Sequence, residues 1–124
     1  MPEESGRLRL TQSRRIKLGR DFARARAEGQ RVVVGCLIAN WVPLSSDSPS
    51  RVGLITSRKI GGAVARARAR RLLRETFRLH QHDFERPIDL VLIARNSIVG
   101  KKLAGVEVDF LEAMRRARLL KKPK

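Results

Sequence analysis

A single cysteine, Cys36, stands alone among 124 residues. That excludes an intramolecular disulfide and fits a chain kept in a reducing, cytoplasmic compartment; the apolar neighbours of Cys36 suggest a buried strand position. Histidine is nearly as scarce, with only His80 and His82. Two residues apart on a helix, their rings point to different faces, and no further histidine or cysteine completes a structural metal site. His80 reads instead as a half-buried helix residue. So few bases and thiols give no support to a self-contained cysteine-hydrolase centre, and no catalytic residue is assigned to the chain. No apolar run approaches the ~20 residues of a membrane-spanning helix. Residues Met1-Pro2-Glu3-Glu4-Ser5 lack the basic-then-apolar pattern of a secretory signal. Neither a membrane nor a small-molecule substrate is expected as partner.

Acidic residues are also in short supply: 12 Asp and Glu face 28 Lys and Arg, a net charge of +16. An imbalance of this size concerns partners rather than fold, and it favours polyanions. The bases are 21 Arg against 7 Lys. Guanidinium groups bind phosphate in a planar, bidentate fashion and stack on bases, so the bias leans towards nucleic acid. Base composition of the coding genome contributes to such a bias as well. With 42% apolar residues the chain can still bury one core, and a single domain over 1–124 is expected, with 1–13 and 121–124 loose.

Along the chain, Arg20 to Glu28 reads as a short first helix, with Asp21 at its N-terminal end and Gly29 as its stop. Val32-Val33-Val34, Cys36 to Ala39 and Trp41-Val42 are β-branched or apolar and too brief for helices. The polar, turn-rich Pro43–Ser50 reads as a hairpin loop before a strand at Val52-Gly53-Leu54-Ile55-Thr56. A long helix from Val64 to Phe84 follows, then an apolar run, Asp89 to Ala94, that suits a strand buried on both faces. After a turn from Asn96 to Lys102, an amphipathic helix over Leu103–Leu120 completes an α-β-β-β-α-β-α order. The first three strands are expected to be antiparallel, and the fold class is an α/β (α+β) sandwich. Trp41 is expected in the core. Asp83, Glu85, Glu107 and Asp109 read as surface charges, the last two in the first turns of the final helix.

The densest signal lies between Arg58 and Arg78, where eight basic side chains accompany one acid, Glu75. At about 100° per residue, Ala69, Leu72, Leu73, Thr76, Phe77, His80 and Phe84 share one broad face, and Arg70, Arg71, Arg74 and Arg78 gather beside it. Arg66/Arg70, Arg70/Arg74 and Arg74/Arg78 are like-charge i,i+4 pairs, each costing a few tenths of a kcal/mol. Glu75, four residues after Arg71, is the local compensation. Solvated helix faces usually mix signs; this one does not, and it calls for a polyanion. Gly61-Gly62 in front of the helix fits either a plain strand-to-helix turn or a place where backbone amides meet a phosphate. It is not a Walker loop, because no Gly-Lys-Ser/Thr follows at the required spacing.

Ser57-Arg58-Lys59-Ile60-Gly61-Gly62-Ala63-Val64-Ala65-Arg66-Ala67-Arg68-Ala69-Arg70-Arg71-Leu72-Leu73-Arg74-Glu75 resembles the signature of the bacterial ribonuclease P protein subunit. Arg15-Ile16-Lys17 with Asp21-Phe22 is similar to that family's approach to its first helix. Arg51 to Leu54 and Asp89 to Arg95 are similar to its third and fourth strands. The resemblance extends over about Leu8 to Leu119. It implies a four-stranded mixed sheet in a two-layer sandwich with a left-handed βαβ crossover. It also implies a catalytic RNA as partner, precursor tRNA as substrate, and removal of the 5′ leader by RNA-bound Mg²⁺. Carried over by position, Arg58, Lys59, Arg66, Arg68, Arg70, Arg71 and Arg74 would contact the RNA subunit. Arg15, Lys17, Phe22, Arg26 and Asn40 would border the leader.

The chain departs from the family pattern at four places. Gly62 and Ala67 replace asparagines, Arg26 replaces a second aromatic one turn beyond Phe22, and Asn40 replaces a frequent tyrosine. A guanidinium can also stack on a splayed base, so Phe22 and Arg26 are expected to form a mixed stacking and phosphate-binding edge. The alternative for Phe22 is a core aromatic that closes the first helix onto the sheet. Rival functions are a ribosomal or ribosome-assembly RNA-binding protein, a protein nuclease acting alone, and a DNA-compacting protein.

Overall fold

The computed structural model describes residues 15–16, 19–45 and 47–121. The expected loose segments 1–13 and 122–124, and Lys17, lie outside the described residues. Lys121, expected to be loose, donates its backbone N–H to Asp83 O at 2.8 Å.

Helix α1 (Gly19–Glu28) is built from arginine and alanine, both good helix formers, with Asp21 in its first turn and Arg26 in its last. Strands β1 (Gln30–Val34) and β2 (Leu37–Pro43) follow as an antiparallel hairpin. Strand β3 (Arg51–Ile55) leads through a 3₁₀ turn at Arg58–Ile60 into α2 (Ala63–His80). Strand β4 (Ile88–Ala94), a second 3₁₀ turn at Asn96–Ile98 and α3 (Leu103–Arg116) complete the order.

The sheet order is β1-β2-β4-β3, which corrects the hairpin expected between β2 and β3. β4 lies between them, antiparallel to β2 and parallel to β3. The physical reason lies in β4, whose residues are apolar on both faces apart from Asp89 and require neighbours on both edges. β3 takes the edge, joined to β4 by the α2 crossover that a parallel pair demands. Only β1 and β2, of the first three strands, pair as expected.

Alternate residues of the sheet serve different faces. Leu37, Ala39, Trp41, Leu90 and Leu92 face α2 and α3 and pack with Leu73, Phe77, Val106, Phe110 and Met114. Val42 and Val91 point the other way, where they meet Ile16, Phe22 and Ala25. The α-on-β sandwich therefore carries α1 as a partial cover on its second face. α2 ends at His80, four residues before the expected end. Gln81 turns its amide back to Arg78 O at 3.0 Å, and Phe84 bridges to Leu120 outside either helix. α3 likewise stops at Arg116 rather than Leu120.

Cys36 is buried, but in the two-residue turn of the β1–β2 hairpin rather than in a strand. Gly35 takes a φ of 53° there, a conformation that favours glycine at the first turn position. A Cβ at Gly35 would also lie 2.2 Å from the Asp109 carboxylate. Asp109 accepts the Cys36 backbone N–H at 2.9 Å and pairs with Lys101 at 3.3 Å. It is a pin between α3 and the hairpin, not a free surface charge. Burial pushes the Cys36 thiol up to about 12, and its hydrogen bond to Asp109 adds to the shift. Cys36 therefore stays protonated at neutral pH, and thiol alkylation of the native chain should be at least tenfold slower than after denaturation. Equal rates under both conditions would contradict its placement. Burial alone would raise the Asp109 carboxyl, but the bonds from Cys36 and Lys101 outweigh it and hold the group below the usual carboxylate range. The stability from this pin is present above the ordinary carboxylate pKa and is lost as pH falls through the lowered value.

Glu107 is a partner as well. His80 Nε2 meets Glu107 Oε2 at 2.7 Å and Nδ1 meets Asp83 Oδ2 at 2.8 Å, with the ring stacked on Phe110. His80 thus fastens α2 to α3. Among the described residues, no group of three His, Cys, Asp or Glu is arranged to hold a metal.

Candidate nucleic-acid interface

α2 is held to the sheet by Ala69, Leu73, Thr76 and Phe77, which are buried, while Arg68, Arg71 and Arg74 are exposed and Arg66 and Arg70 half-buried. Buried Thr76 satisfies its hydroxyl on Leu72 O at 2.8 Å. Glu75 pairs with Arg78 rather than Arg71, and this hydrogen bond lowers the Glu75 carboxyl and raises the Arg78 guanidinium. Among the described residues, no carboxylate forms an ion pair with Arg66, Arg68, Arg70, Arg71 or Arg74. Five guanidiniums on one helix are thereby left without a carboxylate partner among the described residues.

Two of them face a groove. A cleft of about 220 Å³ is lined by Arg15, Ile16, Phe22, Val52, Gly53, Leu54, Arg70 and Arg74. Its base is the outer edge of β3, where Ile16 N–H bonds Val52 O at 2.8 Å. One wall is α1 and the other α2. Arg70 Nη1 donates to Thr56 Oγ1 at 2.8 Å, which holds this guanidinium close to the strand end. One member pair of each residue set separated by the sequence reading, Arg70 and Arg74 of the basic helix and Arg15 and Phe22 of the leader set, meets in this groove.

Phe22 packs against the cluster under α1, as the core reading expected, and also lines the groove. It is possible because position 53 has no side chain: a Cβ there would lie 2.4 Å from the Phe22 ring. Gly53→Ala should push the ring off the sheet and cost about 1–3 kcal/mol, the usual penalty of overpacking, measurable by urea denaturation. Unchanged stability would show that the ring is not seated there.

An ion network fixes α1 over this floor. Asp89, completely buried in β4, accepts Arg51 Nε at 2.7 Å and Nη2 at 2.6 Å. Arg51 reaches Asp21 at 3.4 Å, and Arg24 lies 3.9 Å from Asp89. The hydrogen bond to Asp89 raises the Arg51 pKa further, so the guanidinium stays charged. The sequence reading missed this network. Its signal was an aspartate inside a strand-length apolar run, a residue that needs a buried partner.

The remaining expected residues are placed as follows. Arg58 and Lys59 sit exposed on the 3₁₀ turn. Arg68 donates Nη2 to Lys101 O at 2.6 Å. Arg26 is exposed one turn beyond Phe22 and is not part of the groove lining. Asn40 is only 3% exposed, on the α1 face of β2, so its side chain is not offered to a ligand. Gly61 adopts a φ of 140°, whereas open space surrounds Gly62. A Cβ at 62 would meet no heavy atom within 4 Å.

Together these features define a small α+β protein with a guanidinium-rich helix beside an aromatic groove. A family model described as Ribonuclease P matches residues 10–118. The ribonuclease P protein component of Syntrophomonas wolfei is 34% identical over 110 residues, covering 89% of this chain and 92% of that protein. The component from Gluconacetobacter diazotrophicus is 32% identical over 106 residues, covering 83% and 90%. The solved RNase P protein of Staphylococcus aureus superposes with a TM-score of 0.78 at 24% identity, covering 87% of this chain and 98% of that one. That of Thermotoga maritima gives 0.73 at 26%, covering 82% and 96%. The chain belongs to the ribonuclease P protein component family.

Proposed function

We propose that this chain is the protein subunit of a ribonuclease P, assisting RNA-catalysed removal of the 5′ leader from precursor tRNA. The observation that carries this reading is the shared groove, in which Phe22 and Arg15 face Arg70 and Arg74. Arg58, Lys59, Arg66, Arg68, Arg71 and Arg74 bind the phosphates of the catalytic RNA, with Arg70 at the border of the two partners. A single-stranded leader enters between α1 and α2, one base stacks on Phe22, and Arg15, Lys17 and Arg26 neutralise its backbone. By screening phosphate against phosphate, the chain lets RNA and substrate approach at lower Mg²⁺. The cation itself is held by RNA. Among the described residues, no carboxylate lines the groove, and Asp21 and Asp89 are both turned to Arg51.

The test is the affinity of the RNA–protein complex for tRNA with and without a leader. The wild-type complex should favour the leader-bearing substrate, and Phe22→Ala should reduce that preference by about five- to a hundredfold, the effect of one stacked base. An unchanged preference would remove Phe22 from the site. A ribosomal RNA-binding protein would show no leader preference at all.

A further inference from the structure

A second cavity, on the other flank of α2, is not used by the leader. It measures about 270 Å³ and is lined by Ala65, Arg68, Ala69, Ile98, Val99 and Gly100. Ala69 and Ile98 form a buried apolar floor, and Arg68 closes one side with its guanidinium fixed on Lys101 O at 2.6 Å. Val99 is 58% exposed, and Val64, one helical turn before Arg68, is 84% exposed. Of the four large apolar side chains exposed among the described residues, Val64 thus lies in the first turn of the most cationic helix and Val99 lines the cavity beside it. No carboxylate lines the cavity, and Asp109, near Lys101, is already paired with it. Its volume is below the ~300–1,000 Å³ of sites for drug-sized ligands, which limits the occupant to one small flat group.

We propose that this cavity receives a single unstacked base of the catalytic RNA. The base would lie against Ala65, Ile98 and Val99 with its π-face towards the Arg68 guanidinium, while Arg66 and Lys102 meet the adjoining phosphates. Charge complementarity selects a nucleic acid over an apolar peptide, and the hydrocarbon walls select a base over a phosphate. Such a contact tolerates any base, since every base has a π-face. It adds affinity without adding counterion release, so it separates from the arginine contacts by its salt dependence. The inference rests on the ribonuclease P reading and names a feature of the RNA partner that this reading does not contain.

The experiment titrates the ribonuclease P RNA of the same source with wild-type protein, Ala65→Leu and Val99→Ser, combined with dimethyl sulfate and carbodiimide probing, which together report on all four RNA bases. Ala65→Leu fills the cavity and keeps every charge; Val99→Ser alters only an exposed rim residue and keeps the fold. Both should weaken binding, Ala65→Leu by about five- to a hundredfold, with the salt slope unchanged. One unpaired base protected by wild-type protein should become reactive again in each variant. Wild-type affinity and protection in both variants would overturn the proposal while leaving the proposed function intact. Failure of the wild-type protein to bind this RNA would overturn both. RNA binding insensitive to either variant, with self-association that both abolish, would assign the cavity to a second copy of the chain and overturn it too.

Discussion

Replacing Arg70, Arg71 and Arg74 together by glutamine should weaken binding to the catalytic RNA on the order of a thousandfold and leave the protein folded. Each lost contact is a charge-assisted hydrogen bond worth about 1.5 kcal/mol, and three of them correspond to about three decades in affinity. The slope of log affinity against log salt should become shallower by roughly two to three, close to one per phosphate contact removed. Stability should stay level or rise. None of the three forms an ion pair with a carboxylate among the described residues, and the change relieves the Arg66/Arg70, Arg70/Arg74 and Arg74/Arg78 repulsions at a few tenths of a kcal/mol each. Losing the Arg70 bond to Thr56 offsets part of that gain. Filter binding at several salt concentrations beside a thermal melt checks both halves. Weak binding with an unchanged salt slope would contradict the assignment of this face to phosphate.

The opposite pattern is expected for Asp89→Ala. The substitution leaves the Arg51 guanidinium without its bidentate partner at the base of α1. Breaking a buried pair by removing one member costs ~3–5 kcal/mol, and the lower end applies because Arg51 keeps some contact with water and with Asp21. For a domain of this size that lowers Tm by roughly 10 °C. Because Asp21 and Arg24 belong to the same network, α1 loosens and Phe22 loses its seat. Leader preference should therefore fall, while affinity for the RNA subunit, carried by α2, should change little at a temperature where the variant is folded. Calorimetry and the two binding assays separate these effects. A Tm within 2 °C of wild type would show that the buried carboxylate does not hold the helix.

The two sets of residues differ in how far the sequence disclosed them. The α2 arginines were legible because a run of one sign at helical spacing is a local pattern, and the buried face of Ala69, Leu73, Thr76 and Phe77 follows from the same periodicity. Strand identities were legible for the same reason. The strand order was not: only long-range packing decides that β4 separates β2 from β3. The end of α2 depended on one side chain, the Gln81 amide on Arg78 O, which a hydrophobic pattern extending to Phe84 conceals. A leader site beside Phe22 followed from the family resemblance and not from local pattern, because the groove's parts lie far apart in the chain and Gly53 matters through the side chain it lacks. Asp109 and Glu107 read as surface charges since nothing local reveals that Cys36 and His80 face them.

The most direct test is cleavage of a 5′-labelled precursor tRNA at low Mg²⁺ by the cognate ribonuclease P RNA alone, by this protein alone, and by the mixture. Cleavage at the mature 5′ end in the mixture only is the predicted result. Equal cleavage by the RNA with and without protein, or cleavage by the protein alone, would contradict it.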